Sequence, residues 1–223
     1  CNMPAVSSKQ WKELGRLKNL VQLELEHVDL DDDWLSCLSE MNKLEYLSLF
    51  VTNVNGSGFQ ALSNLKDLKR IRIFNQLREL KLEPVAALPG LVELQLGGHF
   101  QPHMLVPLRK SQSLKHLHLE DNGIVDDTTA AWIGECPGIV KLYLEGKITD
   151  VAVDSLAKLP SIHNLRINGS SLTTEGIFRL ASIPSMRVLA VGTTSEIGPS
   201  ANAKIRQQFP WLPIVSIRHQ APR

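Results

Sequence analysis

The chain has 223 residues, of which 43% are hydrophobic and 21% are charged, and its formal net charge is +1. This composition is typical of a folded globular protein and argues against an intrinsically disordered one. The near-neutral charge provides no global attraction for nucleic acid, and no run of about 18 apolar residues is present to span a membrane. The length suits one domain or two small ones.

One motif, Leu-x-x-Leu-x-Leu with other aliphatic residues or methionine allowed, recurs at intervals of 23 to 26 residues. Within each copy the apolar residues alternate with polar ones, which predicts a β-strand, and a short helical pattern follows. A unit this short cannot bury a core alone, so the copies must stack on one another. The copies start at Leu20, Leu44, Leu68, Leu91, Leu114, Ile139, Ile162, Met186 and Leu212.

The first 19 residues precede the first motif and have the pattern of a capping helix, with Ser7 or Ser8 at its N-terminus. After the first strand comes the acidic run Asp29-Leu30-Asp31-Asp32-Asp33. This run lacks the glycine and the distal glutamate of a helix–loop–helix calcium site. We therefore expect it to stabilise the N-terminus of a short helix.

The third repeat contains a second copy of the motif, at Leu77, Leu80 and Leu82, that is out of step with the others. Keeping Leu68 as the strand start preserves the interval, so the extra copy is expected on the outer side as extended chain. Only 84–88 then remains for a helical turn. In the fourth repeat, Pro102 and Pro107 predict a short or irregular helix.

The fifth, sixth and seventh repeats are the most regular, and pairs such as Thr149-Asp150 precede their helices. The eighth has a longer helical pattern, through Ile205 and Phe209. We expect a single domain, with a cap over 1–19, repeats over 20–211, and a last strand and tail over 212–223.

Over residues 10–219 the sequence resembles the leucine-rich repeat proteins, and in particular their bacterial, cysteine-containing or ribonuclease-inhibitor-like branch. The resemblance implies an α/β solenoid, a right-handed horseshoe arc with a parallel sheet of about nine strands on the concave face and short helices on the convex face. The chain departs from the family at the ninth motif position. Asparagine or cysteine often forms a hydrogen-bonded ladder there, whereas this chain has mostly other residues.

The third, fifth and seventh motif positions should point out of the concave face in columns about 4.8 Å apart. Aromatic and cationic side chains are concentrated there, as they are at the centres of protein interfaces. Such strands also tolerate these residues for structural reasons alone, but the contiguity of the patch favours a binding face. The predicted partner-binding residues are Tyr46, Phe50, Arg70, Arg72, Phe74, His116, His118, Lys141, Tyr143 and Arg166.

The sequence proposes no catalytic, cofactor or metal site. His116 and His118 lie two apart on one strand, but a zinc site needs three or four ligands, so we expect them in an interface. No nucleophile elbow, phosphate-binding loop or metalloprotease motif is present. The basic cluster around Arg70 is interrupted by acidic residues, which makes nucleic acid an improbable partner.

The sequence thus predicts a monomeric, non-catalytic module that recognises a protein or peptide. Two alternatives stay open: the targeting domain of a larger ligase or kinase, and a bacterial lipoprotein anchored through Cys1. Cys37 and Cys136 are four repeats apart, about 20 Å, which is too far for a disulfide. Two free thiols favour a reducing compartment such as the cytoplasm.

Overall fold

A computed structural model describes residues 13–75, 80–121, 125–197, 200–212 and 214–219 of the chain. Nine parallel strands form one sheet, and their spatial order is their order in the sequence. The strands are β1 (Gln22–Glu26), β2 (Tyr46–Phe50), β3 (Arg70–Asn75), β4 (Glu93–Gly98), β5 (His116–Asp121), β6 (Lys141–Glu145), β7 (Asn164–Ser170), β8 (Val188–Thr193) and β9 (Ile214–His219).

The register of the sheet confirms the repeat frame. Leu23 pairs with Leu47, which pairs with Ile71, so each strand aligns with the next at the same motif position. The frame holds through the third repeat, where Leu68 is fully buried. Since alternate residues of a strand point to opposite faces, this register places all the motif aliphatics on one side of the sheet.

The hydrophobic core lies between the sheet and the segments that return from strand to strand. The motif aliphatics are buried in it from Leu44 to Ile217, and in the first repeat Leu23 is buried. Leu20 and Leu25 are only partly buried. Because β1 has a neighbouring strand on one side only among the described residues, its side chains are covered less completely.

The outer side carries short helices, several of them 3₁₀ rather than α. A 3₁₀ helix rises about 2.0 Å per residue against 1.5 Å for an α-helix, so it spans the repeat with fewer residues. The α-helices are α1 (Glu83–Ala86), α2 (Asp127–Ile133), α3 (Val153–Leu156), α4 (Thr174–Ala181) and α5 (Ala201–Gln208). The 3₁₀ helices are Asp32–Leu38, Ser57–Leu62, Pro102–Lys110 and Asp150–Ala152.

Most predictions for the outer side are confirmed. Leu80 and Leu82 are buried opposite the sheet, and α1 supplies the expected helical turn, while Leu77 lies outside the described residues. The proline-containing segment of the fourth repeat is irregular as expected, but at nine residues it is not short. The predicted N-terminal capping helix falls mostly on residues 1–12, which are outside the described part.

Aspartates at the starts of helices join neighbouring repeats. Asp32 follows the N-cap Asp31, and its carboxylate accepts hydrogen bonds from the amides of Asn55, Gly56 and Gly58 in the next repeat, at 2.7, 3.0 and 2.7 Å. Asp127 likewise accepts from the amide and hydroxyl of Thr149, at 2.8 and 2.6 Å. The acidic run therefore serves helix starts, as predicted, and also fastens one repeat to the next.

The ladder of buried polar residues differs from the one that the resemblance implies. Asn75, at the eighth motif position, accepts from the amide of Thr52 at 3.0 Å and donates to the carbonyl of Val54 at 2.9 Å. Near the other end, Ser170 donates to the carbonyl of Gly192, and Thr193 donates to that of Leu172. The ladder thus uses both the eighth and the ninth positions, with hydroxyls in place of several amides.

The last strand is closed on its outer edge by the helix before it. The Asn202 side chain of α5 accepts from the amide of Ile217 at 3.2 Å and donates to its carbonyl at 3.3 Å. These two bonds imitate a further strand, which protects an otherwise unpaired sheet edge.

The two cysteines within the described residues are free thiols, as predicted. Cys37 is partly buried in its 3₁₀ helix, whereas Cys136 is buried just beyond the end of α2. Among the described residues, no helix is long and apolar enough to cross a membrane.

Candidate functional site

Three columns of side chains cover the concave face, the face of the sheet turned away from the helices. The fifth-position column runs in register from Glu24 through Ser48, Arg72, Gln95, His118, Tyr143 and Arg166. The third- and seventh-position columns follow the predicted register as well, except where the seventh is interrupted between β7 and β8. The predicted partner-binding residues therefore lie on β2, β3, β5, β6 and β7, while β4, between the two groups of strands, carries none of them.

Five of these residues form a group on β2 and β3 that we call the arginine–aromatic cluster: Tyr46, Phe50, Arg70, Arg72 and Phe74. The Arg70 guanidinium lies 5.1 Å from the centroid of the Tyr46 ring, and that of Arg72 lies 4.5 Å from Phe74. The rings of Phe50 and Phe74 stack at 5.6 Å. Such contacts favour one arrangement of these long side chains.

Gly97 on β4 makes room for this cluster. A Cβ atom at Gly97 would lie 2.2 Å from Cε1 of Phe74, so the ring lies directly over the glycine backbone. The sequence prediction did not include Gly97. The sequence did contain a signal for this role. Gly97 occupies the seventh-position column next to Phe74, where the neighbouring strands carry larger side chains.

A second group, the histidine–tyrosine cluster, lies on β4 to β7 around His118 and Tyr143. Their rings meet edge to face at 4.0 Å. His118 is also 3.0 Å from the Gln95 amide nitrogen and 2.8 Å from the Glu120 carboxylate. Asn168 donates to the Tyr143 hydroxyl at 2.8 Å. Gln95, Glu120 and Asn168 were not predicted as site residues, although all three occupy the predicted columns.

Burial changes the acidity of both rings in this cluster. Burial lowers the pKa of His118, against the opposing effect of the neighbouring carboxylates, chiefly Glu120. Burial also raises the pKa of the Tyr143 phenol, which Asn168 partly offsets by its hydrogen bond. Tyr143 is consequently a neutral donor at physiological pH.

The histidine–tyrosine cluster lines a depression of about 350 Å³ in the concave face. Five of the predicted residues line it, and the other five belong to the arginine–aromatic cluster, so the predicted set divides into two neighbouring groups. The depression is lined by Glu93, Gln95, His116, Leu117, His118, Lys141, Leu142, Tyr143, Asn164 and Arg166.

The lysine and arginine side chains of the concave face have no carboxylate partner that the structure describes. Within the described part of the chain, none of Arg70, Arg72, Lys141 and Arg166 forms an ion pair. The ion pairs outside this face engage Arg16, Lys18, Arg109 and Arg179. These four cations are therefore not held in ion pairs within the described part, although carboxylates such as Glu93 lie on the same face.

His116 and His118 each pair with a carboxylate rather than converging on a common point. His116 lies 3.7 Å from Glu93, and His118 contacts Glu120. Across the described ranges, no three side chains of the types that ligate metals come together. The groups that this face presents are aromatic π faces, guanidinium and ammonium donors, and imidazole edges.

A scan against protein-family models finds no match, and a search of curated proteins finds none either. Solved structures do match. The internalin InlF of Listeria monocytogenes has a TM-score of 0.58 at 18% identity, over 94% of this chain and 64% of its own. The internalin InlC2 of the same organism has a TM-score of 0.57 at 16% identity, over 96% and 84%. TLR13, in a complex with ssRNA13, has 0.63 at 16% identity, over 97% and 31%.

These matches and the nine-stranded parallel sheet identify the chain as a leucine-rich repeat solenoid. At such identities the likeness is one of fold. This chain spans about two thirds of the InlF chain and about a third of the TLR13 chain.

Proposed function

We propose that the protein is a non-catalytic recognition module that binds a protein or peptide on its concave face. The observation that carries this proposal is the contiguity of the two clusters across β2 to β7. Six adjacent strands give a surface about 24 Å wide, which matches an extended segment of roughly seven residues. The binding residues would be the arginine–aromatic cluster together with the five predicted residues that line the depression, His116, His118, Lys141, Tyr143 and Arg166.

The composition of the face supports a protein partner. Tyrosine, phenylalanine and arginine are enriched where interfaces concentrate their binding energy. Several of these side chains are already ordered by contacts with each other, as in the pairs Arg72–Phe74 and His118–Tyr143. A side chain ordered before binding loses less conformational entropy when the partner docks, which favours affinity.

A protein partner is also favoured over a nucleic acid. The TLR13 match was solved with ssRNA13, so the fold itself accommodates RNA. On this chain, however, Glu93, Glu120 and Glu145 lie on the same face as the cations. A continuous phosphate backbone would meet these carboxylates, whereas a peptide can place isolated charges between them.

The concave-face location is tested with proteins that the wild-type chain captures from its source cells. The affinity of each variant for these proteins is compared with that of the wild type. Arg72→Ala and Tyr143→Ala remove one residue from each cluster, and Lys158→Ala removes an exposed cation beside α3 on the opposite side. Each cluster variant should weaken the measured affinity at least tenfold, as expected for an interface hot spot. The Lys158→Ala control should bind as the wild type does. Unchanged affinity for both cluster variants, with thermal unfolding intact, would place the binding surface elsewhere.

A further inference from the structure

We propose that Arg72 and Ser48 form a carboxylate-binding subsite in the concave face, so that the recognised segment is acidic. This inference rests on the proposed function and specifies the chemistry of the partner. It concerns the arginine–aromatic cluster only.

The Arg72 guanidinium is held in place and has no anionic partner among the described residues. It lies 4.5 Å from the centroid of Phe74 and 5.9 Å from that of Phe50, so two stacked rings support it. It forms no ion pair within the described residues. A planar guanidinium fixed against aromatic rings has its N–H donors arranged in one plane, and their geometry matches a carboxylate.

Ser48 lies beside Arg72 on the neighbouring strand and has a buried hydroxyl. It pairs in register with Arg72, and its side chain is only 1% exposed although it faces the concave side. Its hydroxyl and the Arg72 Nε atom are both buried without a hydrogen-bond partner in the described part of the protein. Leaving such groups unpaired costs about 1–3 kcal/mol each, so two neighbouring ones indicate a site that a partner completes.

The surroundings favour a carboxylate on a peptide. Arg70 lies two residues away on the same strand face and adds positive charge. Glu24 flanks Ser48 on one side, and Gln95 flanks Arg72 on the other. An isolated Asp or Glu side chain fits between these neighbours, whereas a string of phosphates would run into Glu24 or Glu93.

Peptides selected from a random dodecapeptide library on the immobilised wild-type protein provide the probe. The most enriched peptide is synthesised twice, once as selected and once with every Asp and Glu changed to Asn and Gln. The dissociation constants of both are measured by fluorescence anisotropy. We expect acidic residues to be enriched and the amide version to bind at least tenfold more weakly.

Two variants of Arg72 and one of Lys158 then test which cation binds the carboxylates of the peptide. Arg72→Gln should weaken the acidic peptide about tenfold and leave the amide peptide nearly unchanged. Arg72→Lys should recover only part of the affinity, because lysine keeps the charge but not the bidentate fork. Lys158→Gln makes the same charge change on the opposite side and should alter neither constant.

Ser48→Ala separates binding from structure. If the hydroxyl serves the partner, its removal should leave the thermal midpoint unchanged or raised, since a buried unpaired group is lost. The same variant should weaken the acidic peptide about three- to tenfold. A lower midpoint with unchanged peptide affinity would show a structural hydroxyl and overturn the subsite.

The outcomes distinguish this inference from the proposed function. Peptides that bind equally in acidic and amide form, and that Tyr143→Ala still weakens, would overturn the subsite and leave the recognition face standing. Peptides that no concave-face variant weakens would overturn both. A single-stranded RNA oligonucleotide that binds more tightly than any selected peptide, and that Arg72→Gln releases, would replace the peptide by a nucleic acid.

Discussion

The carboxylate of Asp150 in one repeat accepts two hydrogen bonds from Thr173 in the next, 2.9 Å from its amide nitrogen and 2.5 Å from its hydroxyl. Thr173 in turn accepts from the amide of Gly176 and so caps α4. A Cβ atom at Gly176 would lie 2.0 Å from the Asp150 carboxylate, so the glycine admits the aspartate. One side chain thereby fastens two repeats and orders the helix start of the second.

Asp150→Ala should destabilise the stack. The variant removes two charge-assisted hydrogen bonds at a partly exposed site, and we expect the free energy of unfolding to fall by about 1–2 kcal/mol. Urea denaturation measures it. Asp154→Ala is the matched control, because that exposed carboxylate only pairs with Arg179 at the surface and should change stability by less than about 0.5 kcal/mol. If the two variants lowered the free energy of unfolding equally, Asp150 would not stabilise the contact between repeats more than a surface carboxylate does.

Leu142→Ala tests the core of the stack. Leu142 is buried on β6, between Leu117 on β5 and Leu165 on β7. Truncation should lower the free energy of unfolding by about 2–5 kcal/mol, and the loss should extend to adjacent repeats because each one supports its neighbours. Val151→Ala, at a side chain 75% exposed, should be nearly neutral. Unfolding of Leu142→Ala at the wild-type midpoint would contradict the repeat frame.

Val51→Gly should stabilise the protein. Val51 follows β2 with φ at 52°, a left-handed conformation that is unfavourable for a β-branched residue, and its side chain is 39% exposed. Relief of the strain, about 1–2 kcal/mol, exceeds the entropy cost of glycine, so we expect a gain of about 0.5–1 kcal/mol.

Val21→Gly is the control for that gain. Val21 is also exposed, but it precedes β1 without a positive φ, so glycine there should only destabilise. Thermal denaturation compares the two variants. A loss of stability in both would show that the backbone at Val51 carries no such strain.

Cys136 should react slowly with alkylating reagents. Burial raises the pKa of its thiol to about 11, with a smaller contribution from Glu135. Because the thiolate is the reactive form, only roughly one molecule in a thousand is reactive at pH 8. Iodoacetamide labelling followed by peptide-mapping mass spectrometry should show Cys136 reacting at least tenfold faster in urea. Labelling at the same rate with and without urea would mean that the thiol is not buried.

The recurrence of the motif made the sheet predictable to the level of register. Equal positions of successive repeats must stack on one another. The sequence alone therefore predicts Arg72 beside Ser48 and His118 beside Tyr143. The strand assignment of the third repeat followed from the interval alone. It held because a one-residue slip would have moved Ile71 and Ile73 out of the core.

Features that depend on packing between repeats were not predictable in the same way. Asn75 forms the ladder one position earlier than the family pattern implies. Nothing in the neighbouring sequence distinguishes its buried amide from a solvent-exposed one. The division of the concave residues into two clusters depends on rotamers, such as the Phe74 ring lying over Gly97. The choice between 3₁₀ and α-helix on the outer side depends on the distance each repeat must span.

The most direct test of the recognition face is amide chemical-shift mapping of the folded, isotope-labelled chain, titrated with the acidic peptide selected on it. The account predicts the largest shifts at Phe50, Arg72, His118 and Tyr143, with those of α2 to α4 unchanged. Shifts concentrated on these helices, with the concave strands undisturbed, would contradict it.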